Sequence, residues 1–152
     1  MKKRFSPLLL VVVLALVVVG FSSCSVLGSA SDSDSAIQKQ LSETASQLTA
    51  SCPVAVDDET QLDSVVALPG KTLEYNYTLV NYAQSDLTSD EVSQLQDSMQ
   101  SQILNSIETS DAMATLRKDQ VTFEYTYKTN DGAELFSLTF APSDYSVSDS
   151  NS

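Results

Sequence analysis

Three hydrophobic patterns succeed one another along the chain. The first is an unbroken apolar run, Pro7 to Val19, behind the basic start Lys2-Lys3-Arg4 and ahead of Gly20-Phe21-Ser22-Ser23-Cys24. The second is a helical period. It appears at Ile37, Leu41, Ala45 and Leu48, and more strongly at Val92, Leu95, Met99, Ile103, Leu104 and Ile107. Residues three and four apart share a helix face, so each set predicts one apolar stripe. The third is alternation, the period of a half-buried strand. Leu73, Tyr75, Tyr77 and Leu79 alternate with Thr72, Glu74, Asn76, Thr78 and Val80. Val121, Phe123, Tyr125 and Tyr127 alternate with Thr122, Glu124, Thr126 and Lys128. Two further runs complete the set: Leu62, Ser64, Val66 and Leu68 against Asp63, Val65 and Ala67, and Phe136, Leu138 and Phe140 against Leu135, Ser137 and Thr139.

Local signals place the boundaries. Asp34 or Ser35 caps a first helix over 36–50, and Cys52-Pro53 ends it, because proline disfavours helix in the residue before it. Pro69-Gly70 marks a turn between two strands. Ser89 reads as the cap of the long helix, with Asp90 and Glu91 complementing its dipole in the first turn. Ser110-Asp111 starts a short helix through Ala112, Met113 and Leu116, closing near Arg117-Lys118. Asn130-Asp131-Gly132 is a hairpin signal. Pro142 closes the last strand, and Ser143 to Ser152 is a polar tail. The predicted order is helix, two strands, long helix, two strands. The expected fold is a single α+β domain: an antiparallel sheet of about four strands with helices on its apolar face. The opposite face, rich in Thr with Glu74, Glu124 and Lys128, is expected to stay open. Strand order is not derivable.

Charge changes the picture of partners. The 152 residues carry 8 Lys and Arg against 20 Asp and Glu, and no His. Three of the basic residues are Lys2, Lys3 and Arg4, so everything after residue 23 has a net charge of −15. Such a surface repels nucleic acid and anionic lipid headgroups and favours cationic or neutral partners.

The leader has a positive n-region, an apolar core of about 15 residues and a small-residue end, which is the form of a secretory signal and short of the ~20 residues a spanning helix needs. With Phe21-Ser22-Ser23-Cys24 it resembles a bacterial lipoprotein signal peptide, although Phe21 stands where that family usually has leucine. The resemblance implies cleavage before Cys24, acylation of that cysteine with palmitate-class chains, and a site on the extracytoplasmic side of the membrane. Two acyl chains suffice for stable anchoring. The division expected is then signal peptide 1–23, acylated Cys24 and flexible tether 24–35, globular domain 36–142, and tail 143–152. The tether reads SVLGSASDSDS, small, polar and acidic. Cys52 is left as an odd cysteine, buried as a small apolar residue, paired between molecules or present as a reactive thiol; without acylation a Cys24–Cys52 bridge becomes available.

A second set of residues carries another resemblance: Cys52-Pro53, Asp57, Thr60, Leu62-Asp63, the run Leu73, Tyr75, Tyr77, Thr78 and Leu79, then Tyr125, Tyr127 and Asp131-Gly132. In these the chain is similar to small uncharacterised exported bacterial domains. The resemblance implies a domain boundary near residue 36 and no activity.

Candidate chemistry is thin. Without His the usual base and metal ligand are missing, and no nucleophile elbow or glycine-rich phosphate loop is present. Asp57, Asp58, Glu59 and Asp63 form the one acidic run able to hold a hard cation or pair carboxylates, but they lack the glycine turn and ligand period of a calcium loop. The parity of Tyr75, Tyr77, Tyr125 and Tyr127 points them into the core. The candidate binding surface is therefore Asp57, Asp58, Glu59, Asp63, Thr72, Glu74, Thr78, Thr122, Glu124 and Thr126. No cofactor, metal or catalytic residue is expected. The sequence favours a non-enzymatic, membrane-anchored envelope domain that binds another envelope protein through the polar face or a sheet edge. A small-molecule or cation binder is the first alternative and an enzyme of unknown type the second.

Overall fold

In the computed structural model, which describes residues 30–145, the chain enters the fold as a 21-residue helix, α1 (Ala30–Ala50). The expected signal peptide, Cys24 and the first part of the expected tether lie outside the described residues, as do residues 146–152. The helix begins six residues before the expected start at 36, because SASDSDS has no apolar period to announce it. Asp34 in this early turn pairs with Lys71 at 3.1 Å. Leu41 and Ala45 carry the buried stripe, with Ile37 and Leu48 partly covered.

Five strands follow: β1 (Val54–Ala55), β2 (Thr60–Leu68), β3 (Thr72–Leu79), β4 (Thr122–Thr129) and β5 (Glu134–Phe140). They lie in sequence order in one sheet. The α+β class holds, and the sheet differs from expectation in two ways. It has a fifth strand, the two-residue β1, and it is mixed, since β3 and β4 pair in parallel. Parallel pairing follows from the connection. Between β3 and β4 runs α2 (Ser89–Thr109), which carries the chain back along the sheet, so β4 starts at the same end as β3. The other pairs are antiparallel.

Thr88, one residue ahead of the expected Ser89, caps α2. Its hydroxyl accepts from the Glu91 N–H at 3.3 Å, and the Glu91 carboxylate accepts from the Thr88 N–H at 2.9 Å. This reciprocal pair satisfies two N–H groups that the first turn leaves free. Leu95, Met99, Ile103 and Ile107 form the buried stripe; truncating a fully buried one such as Ile107 to Ala costs roughly 2–5 kcal/mol. A 3-10 turn (Asp111–Met113) leads into α3 (Ala114–Lys118). The Arg117 guanidinium folds back to donate to the carbonyls of Ile107 and of Ser110, the latter at 2.8 Å, closing the C-terminus of α2.

β2 carries a correction. Its register with β3 shifts between Leu62 and Ser64, leaving Asp63 as the extra residue of a bulge. The bulge changes parity, so Val65 is buried and Val66 is exposed, the reverse of simple alternation from Leu62. The Asp63 carboxylate holds the bulge by accepting from Thr78 at 2.5 Å and Gln61 at 2.8 Å.

At the centre, parallel register sets Tyr75 beside Tyr125 and Tyr77 beside Tyr127. Both pairs stack with ring centroids 5.1 Å apart and planes 10° and 13° from parallel. Such pairs contribute about 0.5–1.5 kcal/mol each beyond burial. These four rings face the core, as their parity predicts. The chain also stays ordered past Pro142: α4 (Pro142–Tyr145) places Tyr145 in the core, its hydroxyl donating to the Val121 carbonyl. A single aromatic in a polar run gives no period by which to expect this.

Candidate functional site

The sequence-predicted site residues fall into two separate places. Asp57, Asp58 and Glu59 sit in the loop before β2. There Asp57 accepts from the N–H groups of Glu59 and Thr60 at 2.8 and 2.7 Å, a local turn closed by its own side chain. Glu59 accepts from the Tyr82 hydroxyl at 2.9 Å, and burial together with that bond pushes Tyr82 up to about 12. Asp58 is exposed, with its carbonyl accepting from Asn81 at 2.9 Å. Two of these three carboxylates thus hold backbone or side-chain donors of the fold, and among the described residues no group of three His, Cys, Asp or Glu is placed to hold a metal ion.

The remaining seven lie on the face of the sheet turned away from the core. Asp63 and Thr78 are joined by the bulge hydrogen bond. Thr72 and Thr122 are register partners on adjacent strands, and so are Glu74 and Glu124. Thr126, expected to be open, is buried among its neighbours on this face. Across the sheet the row reads Val66, Glu74, Glu124, Thr139. Two like charges side by side in a sheet are unfavourable. Ser137 lies 3.4 Å from one Glu124 oxygen, while among the described residues Glu74 has no hydrogen bond or ion pair. Ion pairs among the described residues are Lys71–Asp34 and Lys39–Glu43, neither on this face.

The edge of β2 adds a feature that sequence reading missed. α1 runs along β2, and Gln38 holds the β2–β3 hairpin by donating to the Leu68 carbonyl at 3.0 Å and accepting from the Lys71 N–H at 2.9 Å. Thr49 bonds the backbone of Val65. Beside these contacts lies an open groove of about 500 Å³ lined by Ser42, Ala45, Ser46, Thr49 and Ala50 of α1 and Val65, Val66 and Ala67 of β2. Val66, at 40% exposure, borders both the groove and the glutamate row. The small residues on the outer side of α1 were the available signal. The bulge that turns Val66 outward leaves none, since Val65 and Val66 are equally apolar.

Cys52 is half-buried and donates to the Leu48 carbonyl at 3.3 Å. Burial first, and the charge of Asp63 second, push its thiol up, so it stays protonated near neutral pH.

The family model for a domain of unknown function, DUF8479, matches residues 35–136, more than half of the chain. The chain belongs to this family. The DUF8479 description assigns no activity, and curated proteins gave no match. Solved structures share the fold at low identity. A Pseudomonas aeruginosa protein provisionally called secreted aligns with a TM-score of 0.61 at 16% identity, over 76% of this chain and 98% of that one. The type 2 secretion system pilotin EpsS of Vibrio vulnificus aligns at 0.56 and 11% identity, over 77% and 98%. The type II secretion system pilotin AspS of Vibrio cholerae aligns at 0.56 and 12%, over 77% and 99%. The DUF8479 domain therefore shares its fold with these three proteins.

Proposed function

We propose that this DUF8479 protein is a lipid-anchored extracytoplasmic protein of the bacterial envelope that acts by binding another envelope protein rather than by catalysis. In this reading residues 1–23 are removed, Cys24 is acylated, and the short segment between Cys24 and α1 is the tether. The domain then extends from α1 to Tyr145. The single observation that carries the binding role is the sheet face that no helix among the described residues covers, which ends at a groove lined by small polar and aliphatic side chains. The fold shared with two pilotins and with a protein called secreted supports an envelope setting. The engagement of Asp57, Glu59 and Asp63 in the fold's own hydrogen bonds speaks against a carboxylate-based catalytic or cation site.

The test is photocrosslinking in intact envelopes, with a photoreactive residue placed at Thr122 on the open face, at Asp58 in the acidic loop, or at Ser101 on the solvent side of α2. A discrete adduct to one envelope protein from any of these positions is expected. Its absence at all three contradicts a protein-binding role.

A further inference from the structure

We infer that the groove between α1 and β2, together with the Glu74–Glu124 pair, is a docking surface for a short extended segment of a partner protein that carries an aliphatic side chain and, two residues on, an arginine or lysine. The inference rests on the binding role proposed above and names its surface and the chemistry it recognises.

Three observations meet here. The α1 side of the groove presents small side chains at Ser42, Ser46 and Ala50, which leaves its floor reachable. Val66 offers 40% of its surface to water at the groove's edge, held outward by the Asp63 bulge. Next to it in the same row stand Glu74 and Glu124, adjacent on parallel strands, with no ion pair to either among the described residues. An incoming cation pairs with these two carboxylates, and an aliphatic side chain covers Val66.

The spacing sets the partner's pattern. Neighbouring strands lie about 4.8 Å apart, so the two glutamates are roughly 5 and 10 Å from Val66 along the row. An extended segment rises about 3.3 Å per residue and alternates its side chains between two faces, so a basic side chain two positions from the aliphatic one lies on the same face and falls between the two carboxylates. Nucleic acid and anionic lipid are repelled by a net charge of −15 after residue 23. A second copy brings the same charge, and the C-terminal residues 146–152 hold an aspartate and no cation. A basic segment of a different protein is the occupant that matches.

The test uses the full chain purified in detergent and a fluorescein-labelled synthetic peptide, Gly-Leu-Val-Arg-Leu-Arg-Gly, with Gly-Ser-Gly-Arg-Ser-Arg-Gly as the control of equal charge. Fluorescence polarisation is expected to show saturable one-to-one binding of the first peptide, weakened by salt, and binding of the control at least about tenfold weaker. E74Q/E124Q and, separately, V66D are expected to weaken binding about tenfold or more, with thermal melts checked for each. D97N/E108Q, which removes the same charge from the exposed side of α2, is expected to bind like wild type. The inference is overturned if wild type shows no saturable binding, if E74Q/E124Q and V66D bind normally, if the control peptide binds equally well, or if the face is instead occupied by a second copy in sedimentation. A failed peptide with a persisting envelope crosslink discards this surface and leaves the binding role standing. Failure of both removes the role as well.

Discussion

The Thr49 hydroxyl bonds both backbone groups of Val65, donating to its carbonyl at 2.7 Å and accepting from its N–H at 2.8 Å. One side chain of α1 thus stands in for the strand that β1 is too short to supply. It fixes the helix against the edge of β2 and closes that edge to strand addition at this point. It also sets the wall of the groove.

Replacing Thr49 with Val keeps the shape and leaves two backbone groups of a buried residue without partners. The expected cost is about 1–3 kcal/mol in chemical denaturation, with Thr49→Ser largely restoring stability. Equal stability of wild type and Thr49→Val is the opposing result, and it means water replaces the hydroxyl at no cost.

Tyr125 is fully buried, and its hydroxyl has no hydrogen-bond partner among the described residues. Its ring stacks on Tyr75 and meets the edge of Phe140 at 6.0 Å. Tyr125→Phe keeps the stacking and removes the orphaned group, so stability is expected to hold or rise by about 1 kcal/mol. Tyr125→Ala is expected to lose about 3–5 kcal/mol. A Tyr125→Phe variant less stable than wild type by about 2 kcal/mol indicates a hydroxyl partner in solution.

All six tyrosines titrate above the usual value. Burial pushes Tyr75, Tyr82 and Tyr145 up to about 12, and Tyr77, Tyr125 and Tyr127 go higher still. The unfolded chain ionises near 10. With folded values raised, the stabilisation is fully present below pH 10 and is lost as pH rises toward 12 and beyond. Ultraviolet titration is expected to show almost no tyrosinate at pH 10, then a steep rise coinciding with loss of far-ultraviolet dichroism. A gradual rise centred on pH 10 in the folded protein contradicts a buried tyrosine ladder.

Much of the fold is legible in the residues. The stripe from Val92 to Ile107 and the alternation from Leu73 to Leu79 and from Val121 to Tyr127 each have one period and one solution. Strand order is not, because pairing is decided by connections: the helical crossover between Leu79 and Thr122 makes the central pair parallel, and no residue in either strand announces it. The Leu62–Val66 stretch is ambiguous at both parities, so only the Asp63–Thr78 bond reveals which valine faces water. The open face with Glu74 and Glu124 follows from alternation. The groove beside it does not, since it needs α1 placed against β2. The second set of resemblance residues also becomes intelligible: Asp57 closes a turn onto Thr60, Asp63 holds a bulge against Thr78, and the four tyrosines stack. Each of these contacts belongs to the fold.

The most direct test of an anchored envelope protein is the intact mass and membrane fractionation of wild type beside Cys24→Ser. The expected result is wild-type protein that begins at Cys24, carries the mass of acyl chains and sediments with membranes, while Cys24→Ser lacks that mass and is retained as precursor or released. Identical behaviour of the two proteins, with no lipid mass on either, contradicts the anchor and leaves Cys24 free to pair with Cys52.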